Sequence, residues 1–232
     1  LVILKGGVMT ANHGTTSPKP KRQLNGHDRL IQKFNQSLRA IIPHSNLHTR
    51  ALPVSDDILP KLSNQESRHV AGLMRINHTG EVCAQGLYHG QAFSAKNDAV
   101  RSAMNHAAQE EVDHLVWCET RLDELGSHSS VFTPVWYGLS FGLGAVAGFI
   151  SNEFSLGFVA ETEAQVSEHL QEHVAQLPID DHRSRQILQQ MDKEELEHRH
   201  MALENGGSQL SLPVRITMRW LANRMKQVAY HF

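Results

Sequence analysis

Two six-residue segments, QEEVDH at 109–114 and KEELEH at 193–198, share five features at matching positions: Glu, Glu, an aliphatic residue, an acid and a histidine. Residues three apart on a helix share a face. Glu111 with His114, and Glu195 with His198, can therefore each present a carboxylate oxygen and an imidazole nitrogen side by side. The Glu-x-x-His spacing alone is common, and Glu66/His69 and Glu197/His200 have it too. What sets the first two pairs apart is the five-position match on separate segments.

Helical periodicity puts these pairs on apolar stripes. Glu111 lies among Val100, Met104, Ala107, Ala108, Leu115, Cys118 and Leu122, while Glu110, Asp113 and Glu119 fall outside that stripe. Glu195 lies among Leu188, Met191 and Ala202. Two lone glutamates behave alike. Glu163 is centred among Leu156, Val159, Ala160, Val166, Leu170 and Val174, with Glu161, Glu168 and Glu172 opposite. Glu81, the only acid between Glu66 and Asp98, shares a face with Val70, Met74, Ala84, Tyr88 and Ala92. The order is Glu81, Glu111/His114, Glu163, Glu195/His198, and the lone-to-paired separations are 30 and 32 residues.

Four carboxylates on apolar faces are costly to bury unless something neutralises them. Ion pairs with basic residues would do so, but no Lys or Arg lies centrally on these stripes. Two divalent iron ions, or manganese in their place, would balance four negative charges and accept two imidazoles. One Glu from each of two helices plus Glu-x-x-His from each of two others is the carboxylate-bridged dinuclear arrangement of ferritin-like bundles.

The elements that must carry these residues read as helices throughout, with no strand alternation from about Ser63 onward. The expected helices run over 64–95, after a Ser63/Glu66 capping box, and over 97–125, stopped by Gly126. A third opens at Thr133 as N-cap with Pro134 in the first helical position. The rest span 153–177, 181–205, and from Pro213 to the C-terminus. The expected fold is all-α, a ferritin-like four-helix bundle over 61–232 with two additional membrane-facing helices. Gly80, Gly86 and Gly90 would permit close helix approach.

Those two helices are singled out by charge. No Asp, Glu, Lys or Arg lies between Leu125 and Asn152, a run long enough for a bilayer but broken by Pro134 and diluted by Gly138, Gly142, Gly144 and Gly148. A buried or membrane-surface helix fits it better than a spanning one. In the last helix Val214, Met218, Leu221, Met225, Val228 and Phe232 recur at i+3/i+4, while Arg215, Arg219, Arg224 and Lys226 supply charge without an acid. Such a helix can lie on an anionic membrane or simply pack on the bundle. Residues 1–60, with eight basic and three acidic side chains, read as a mostly flexible basic segment. The chain opens on Leu1, and Met9 is a candidate start.

Composition sets outer bounds. A chain of 232 residues can bury a sizeable core, and a formal net charge of −2 argues against nucleic-acid binding. Two cysteines have neither disulfide-framework nor zinc spacing. Sixteen histidines are many, but only the two placed after buried glutamates carry a ligand assignment.

MRINHTGEVCAQGLYHGQAF (74–93), EEVDH (110–114), AETEAQVSEHL (160–170) and EELEH (194–198) resemble the demethoxyubiquinone hydroxylases of ubiquinone biosynthesis, over roughly residues 60–230. The resemblance implies that Glu81 and His114 hold one iron, Glu163 and His198 the other, and that Glu111 and Glu195 bridge both. It implies O2-dependent hydroxylation of the ring of a polyprenyl demethoxyubiquinol. His169 matches a histidine that supports the chemistry without ligating. A tyrosine follows that histidine in some relatives, but Leu170 stands here, so no tyrosine role carries over. The implied setting is the cytoplasmic face of a bacterial cell membrane, bound peripherally, or the matrix face of the mitochondrial inner membrane in a eukaryote. A homo-oligomer or a complex of ubiquinone-biosynthesis proteins is a possible assembly. Other ligand-compatible readings are an iron-storage or peroxidase-like relative and a ribonucleotide-reductase-like radical protein. The latter would carry a Tyr where Cys118 sits. A non-enzymatic lipid-binding bundle would explain the two extra helices but not the four buried glutamates.

Overall fold

The structure is a computed structural model that describes residues 35, 37–46, 50–54, 59 and 61–232. Most of the expected N-terminal segment, and Met9, lie outside the described residues. A short helical stretch covers 37–41. Six long helices follow: α1 (Asn64–Ser94), α2 (Asp98–Glu124), α3 (Thr133–Ile150), α4 (Asn152–Gln176), α5 (His182–Glu204) and α6 (Leu212–Ala229). No strand occurs among the described residues.

Local chemistry accounts for most of the boundaries. Ser63 and Glu66 form the expected reciprocal cap, with Glu66 Oε2 accepting from the Ser63 N–H at 2.8 Å. Gly126, at φ +65°, ends α2 in the left-handed region. Thr133 is a correction: it is the first residue of α3, and its hydroxyl donates back to the Ser130 carbonyl instead of capping. Ser151 closes α3 and caps α4 through its Oγ, so one residue separates the two helices. The last helix stops at Ala229 instead of reaching Phe232.

Two apolar clusters fill the bundle. One joins Val70, Leu73 and Met74 of α1 to Trp117 and Leu122 of α2, Leu170 of α4, and Ile187, Leu188 and Met191 of α5. The other joins Ala84, Tyr88 and Ala92 to Met104 and Ala108, to Leu156, Val159 and Ala160, and to Ala202. On each of the four helices the carboxylate lies between the two clusters. The residue order then gives the directions: α1 and α5 run one way, α2 and α4 the other. Because α2 and α4 are parallel, a long crossover must join them, and α3 lies within it. One crossover in a four-helix bundle is the ferritin-like connection.

The helix α3 packs on α1 through glycines. A Cβ on Gly90 would collide with the Phe141 carbonyl oxygen, and one on Gly144 with that of Leu87. The backbones therefore touch directly along this seam. The opposite face of α3 exposes Val135, Leu139, Leu143, Val146, Phe149 and Ile150, all within an arc of about 120° at 100° per residue. On α6 part of the expected apolar stripe turns inward. Met225 packs on Ile76, while Val214 and Met218 pack on Ala147 and Phe158. Leu212, Ile216 and Trp220 stay exposed, and so does Leu221 of the stripe itself. Two of its four basic residues are paired with α4: Arg215 with Glu161 and Arg219 with Glu168, each at 2.8 Å.

Candidate metal centre

The helix geometry brings Glu81, Glu111, His114, Glu163, Glu195 and His198 into the middle of the bundle, and all six are buried. One donor atom from each of Glu81, Glu111, His114 and Glu195 can lie within 4.8 Å of the others. The two paired glutamates face both histidines. Glu111 Oε2 lies 3.0 Å from His114 Nδ1, and its Oε1 lies 3.0 Å from His198 Nδ1. Glu195 Oε1 lies 3.0 Å from His114 Nδ1, and its Oε2 lies 3.5 Å from His198 Nδ1. Glu81 Oε2 is 3.7 Å from His114 Nδ1. Glu163 accepts a hydrogen bond from the Tyr88 hydroxyl at 2.6 Å.

Short separations do not make these contacts hydrogen bonds. Among the described residues, both Glu111 oxygens, Glu195 Oε2 and the Nδ1 atoms of His114 and His198 have no hydrogen-bond partner. Five buried polar atoms left unsatisfied in one place are far outside what folded interiors tolerate, unless a cation supplies what hydrogen bonds do not. The donor set of carboxylate oxygens and imidazole nitrogens suits a first-row divalent metal.

The electrostatics agree. Burial raises Glu81 and Glu163 well above the usual carboxylate range, helped by the charges of Glu111 and Glu195. Burial would raise Glu111 too, but the two imidazoles outweigh it and hold it low. Burial likewise disfavours imidazolium at His114 and His198, yet the facing carboxylates raise both, His198 to about 12. The side chains thus balance buried carboxylate charge with protons that a metal would displace.

An apolar cavity of about 710 Å³ opens beside this layer. Its walls come from α1, α3, α4 and α6, and its lining includes Gly80 just before Glu81 and Thr162 just before Glu163. A narrow crevice shares Ala84, Leu87, Phe158 and Thr162 with the cavity and reaches Tyr88 and Glu163.

The chain matches the family model described as ubiquinone biosynthesis protein COQ7 over residues 68–229. It is 76% identical over 204 residues to the 3-demethoxyubiquinol 3-hydroxylase of Psychrobacter sp. (strain PRwf-1), covering 88% of this chain and 96% of that protein. It is 71% identical over 210 residues to the protein of that name from Psychrobacter arcticus, covering 90% and 98%. With the one from Acinetobacter baumannii, identity is 54% over 210 residues, covering 90% and 99%. The chain belongs to the COQ7 family.

In this COQ7 family member the six residues expected from spacing share one buried layer, though His198 and Glu163 lie outside the tight four-residue group. His169 is buried in the cavity wall. Its Nδ1 lies 3.2 Å from the Gln165 carbonyl oxygen and its ring packs on His173, and none of the six is among those partners. Three contributors escape sequence reasoning. Tyr88, two turns after Glu81 on the same stripe, is legible as a neighbour but not as the donor to Glu163. Asp113 and Glu119 fall outside the apolar stripe of α2, yet both are buried. Asp113 is paired with Arg50 at 2.7 Å, and Glu119 approaches His78 at 3.3 Å. Nothing in the periodicity of α2 signals Arg50, which comes from the segment preceding the bundle.

Proposed function

We propose that this protein hydroxylates the ring of a polyprenyl demethoxyubiquinol with O2 at a di-iron centre; the relatives carry the name 3-demethoxyubiquinol 3-hydroxylase. The observation that carries the reading is the pair Glu111 and Glu195, each directing one oxygen to either imidazole, next to an apolar cavity. Carboxylates so arranged suit bridging. Glu81 and His114 would complete the ligands of one iron, Glu163 and His198 those of the other. The metal pair would supply O2 activation. One oxygen atom enters the ring and the other leaves as water, with two electrons and two protons taken up from outside the site.

The chain's own residues do the rest. The two apolar clusters above and below the carboxylates exclude water, which an oxidising centre requires. The cavity has the size of small-molecule sites and offers an apolar bed to a prenylated ring. Tyr88 holds one Glu163 oxygen by donating its hydroxyl proton. His169, neutral because burial lowers it to about 3, presents an uncharged imidazole to the cavity wall. An iron-storage reading would leave this cavity without an occupant.

The exposed apolar face of α3 and the exposed Leu212, Ile216 and Trp220 of α6 border the cavity's outer wall. They support peripheral attachment to a membrane from which the substrate enters, at the cytoplasmic face in bacteria such as those of the relatives. The helix α3 is long and apolar enough to cross a bilayer, but its glycine face is committed to α1. The test is to load the protein anaerobically with iron, determine metal content, and supply demethoxyubiquinol and O2. About two irons per chain and a hydroxylated product are expected. Fewer metals or no product would sink the assignment, and manganese in place of iron would correct the cofactor.

A further inference from the structure

The paired glutamates of the two repeated segments divide their work. Glu111 and Glu195 face the centre, which leaves the leading residues, Glu110 and Glu194, without a place among its ligands. Both cross to the opposite helix. Glu194 Oε2 on α5 lies 2.7 Å from His114 Nε2 on α2, and Glu110 Oε2 on α2 lies 3.4 Å from His198 Nε2 on α5. Each imidazole thus has Nδ1 toward the carboxylate layer and Nε2 against the other segment's leading glutamate. A carboxylate that accepts the Nε2 proton leaves the Nδ1 lone pair free to ligate and sets the plane of the ring.

The two halves are unequal. Glu194 is clamped by Arg50, whose two terminal nitrogens donate to it at 2.7 and 3.0 Å, and by Gln190 at 2.6 Å. Arg50 is itself fixed. Its Nε donates to buried Asp113 at 2.7 Å, and its guanidinium lies 4.8 Å from the centre of the Trp117 ring. Glu110 is more exposed, at 41% of its side chain against 14% for Glu194, and it shares itself with an exposed His106 at 3.6 Å.

We propose that Glu110 and Glu194 are positioning residues for each other's segment histidine, and that Arg50 makes the Glu194–His114 half the rigid one. The proposal rests on the metal reading of the centre. It explains why the repeat extends one residue before each Glu-x-x-His, and it gives the segment before the bundle a part in metal binding.

The alternative role is a plain inter-helix staple, and Arg183 serves as its control. Arg183 of α5 donates to Glu124 of α2 at 2.9 Å, joining the same two helices away from the histidines. Metal-stripped protein is titrated with Co(II), whose visible absorption reports both affinity and coordination, and the melting temperature without metal is recorded. Glu194→Ala should weaken one of the two sites about ten- to a hundredfold and change the Co(II) spectrum. Glu194→Gln, whose amide oxygen still accepts the Nε2 proton, should recover part of the affinity. Arg50→Ala should act in the same direction as Glu194→Ala but less, with Arg50→Lys between it and wild type. Glu110→Ala should cost less than Glu194→Ala. Arg183→Ala should lower the melting temperature and leave the Co(II) titration unchanged. Wild-type affinity and spectrum in both Glu194→Ala and Arg50→Ala would overturn the proposal while the metal reading stood. Failure of the wild type itself to take up Co(II) would overturn the metal reading and the proposal with it.

Discussion

Glu161 and Glu163 are two positions apart on α4 and differ in everything that decides their chemistry. Glu163 is buried beside Tyr88, whereas Glu161 pairs with a partly exposed Arg215. Glu163→Ala should lower bound metal from about two to about one per chain. Glu161→Ala should leave metal content intact, at a stability cost of roughly 1–3 kcal/mol because Arg215 and Gln165 lose their acceptor. Metal analysis of the two purified variants checks this, and the reverse result would overturn the assignment of the inward face. A pH effect belongs to this scale as well. Burial, helped by His173 and Lys226, lowers His169 to about 3, and burial with Lys226 and His69 lowers His173 to about 4. In the unfolded chain both titrate near 6.5, so acidification protonates the unfolded state first. Stability from this source is intact above about pH 6.5 and is lost as pH falls toward 3–4. Urea denaturation of His169→Gln between pH 7 and 4 should show a shallower loss than wild type. An equal slope would mean that His169 takes up its proton in the folded state.

At the scale of the element, α3 depends on which of its glycines meets α1. Gly144 touches the Leu87 carbonyl, while Gly142 has open space around its missing Cβ. Gly144→Ala forces the helices apart and should destabilise by about 1–3 kcal/mol, the usual cost of overpacking. Gly142→Ala removes only the helix penalty of glycine and should be neutral or stabilising by up to about 1 kcal/mol. The urea midpoints of the two variants should therefore move in opposite directions or differ clearly. Similar losses in both would mean that the α1–α3 seam is not held at backbone contact. The seam also forms one wall of the cavity, so Gly144→Ala should weaken substrate binding as well.

Among the described residues, α3 carries the longest run of exposed large apolar side chains. Val146 and Phe149 are 58% and 59% exposed on α3, and neither lines the cavity. Replacing both with Glu should reduce co-sedimentation with anionic vesicles about tenfold or more, given what a charge costs in hydrocarbon, while metal content stays unchanged. Added salt should weaken the wild-type binding through α6, where Arg224 and Lys226 remain for lipid headgroups after Arg215 and Arg219 have paired with α4. Vesicle binding that is indifferent to both changes would count against membrane attachment by this face.

Which residues face inward is legible in the sequence by itself, because facing is a local property. A 3.6-residue repeat puts Glu81, Glu111, Glu163 and Glu195 on apolar stripes and Glu161, Glu168 and Glu172 off them, and the buried layer contains the first set. The six helices and most of their ends follow from caps, prolines and glycines for the same reason. Periodicity fails on α2, where Asp113 and Glu119 are buried by partners outside the helix, Arg50 and His78. On α6 periodicity leaves membrane surface and bundle packing both open, and the packing of Val214, Met218 and Met225 on the bundle is visible only in three dimensions. The crossing of Glu194 to His114, the clamp by Arg50, the bond from Tyr88 to Glu163 and the glycine seam between α1 and α3 are decided by tertiary structure alone. Each depends on the distance between segments far apart in the chain, and that distance is set by how the whole bundle packs, which leaves no period in any one helix to read.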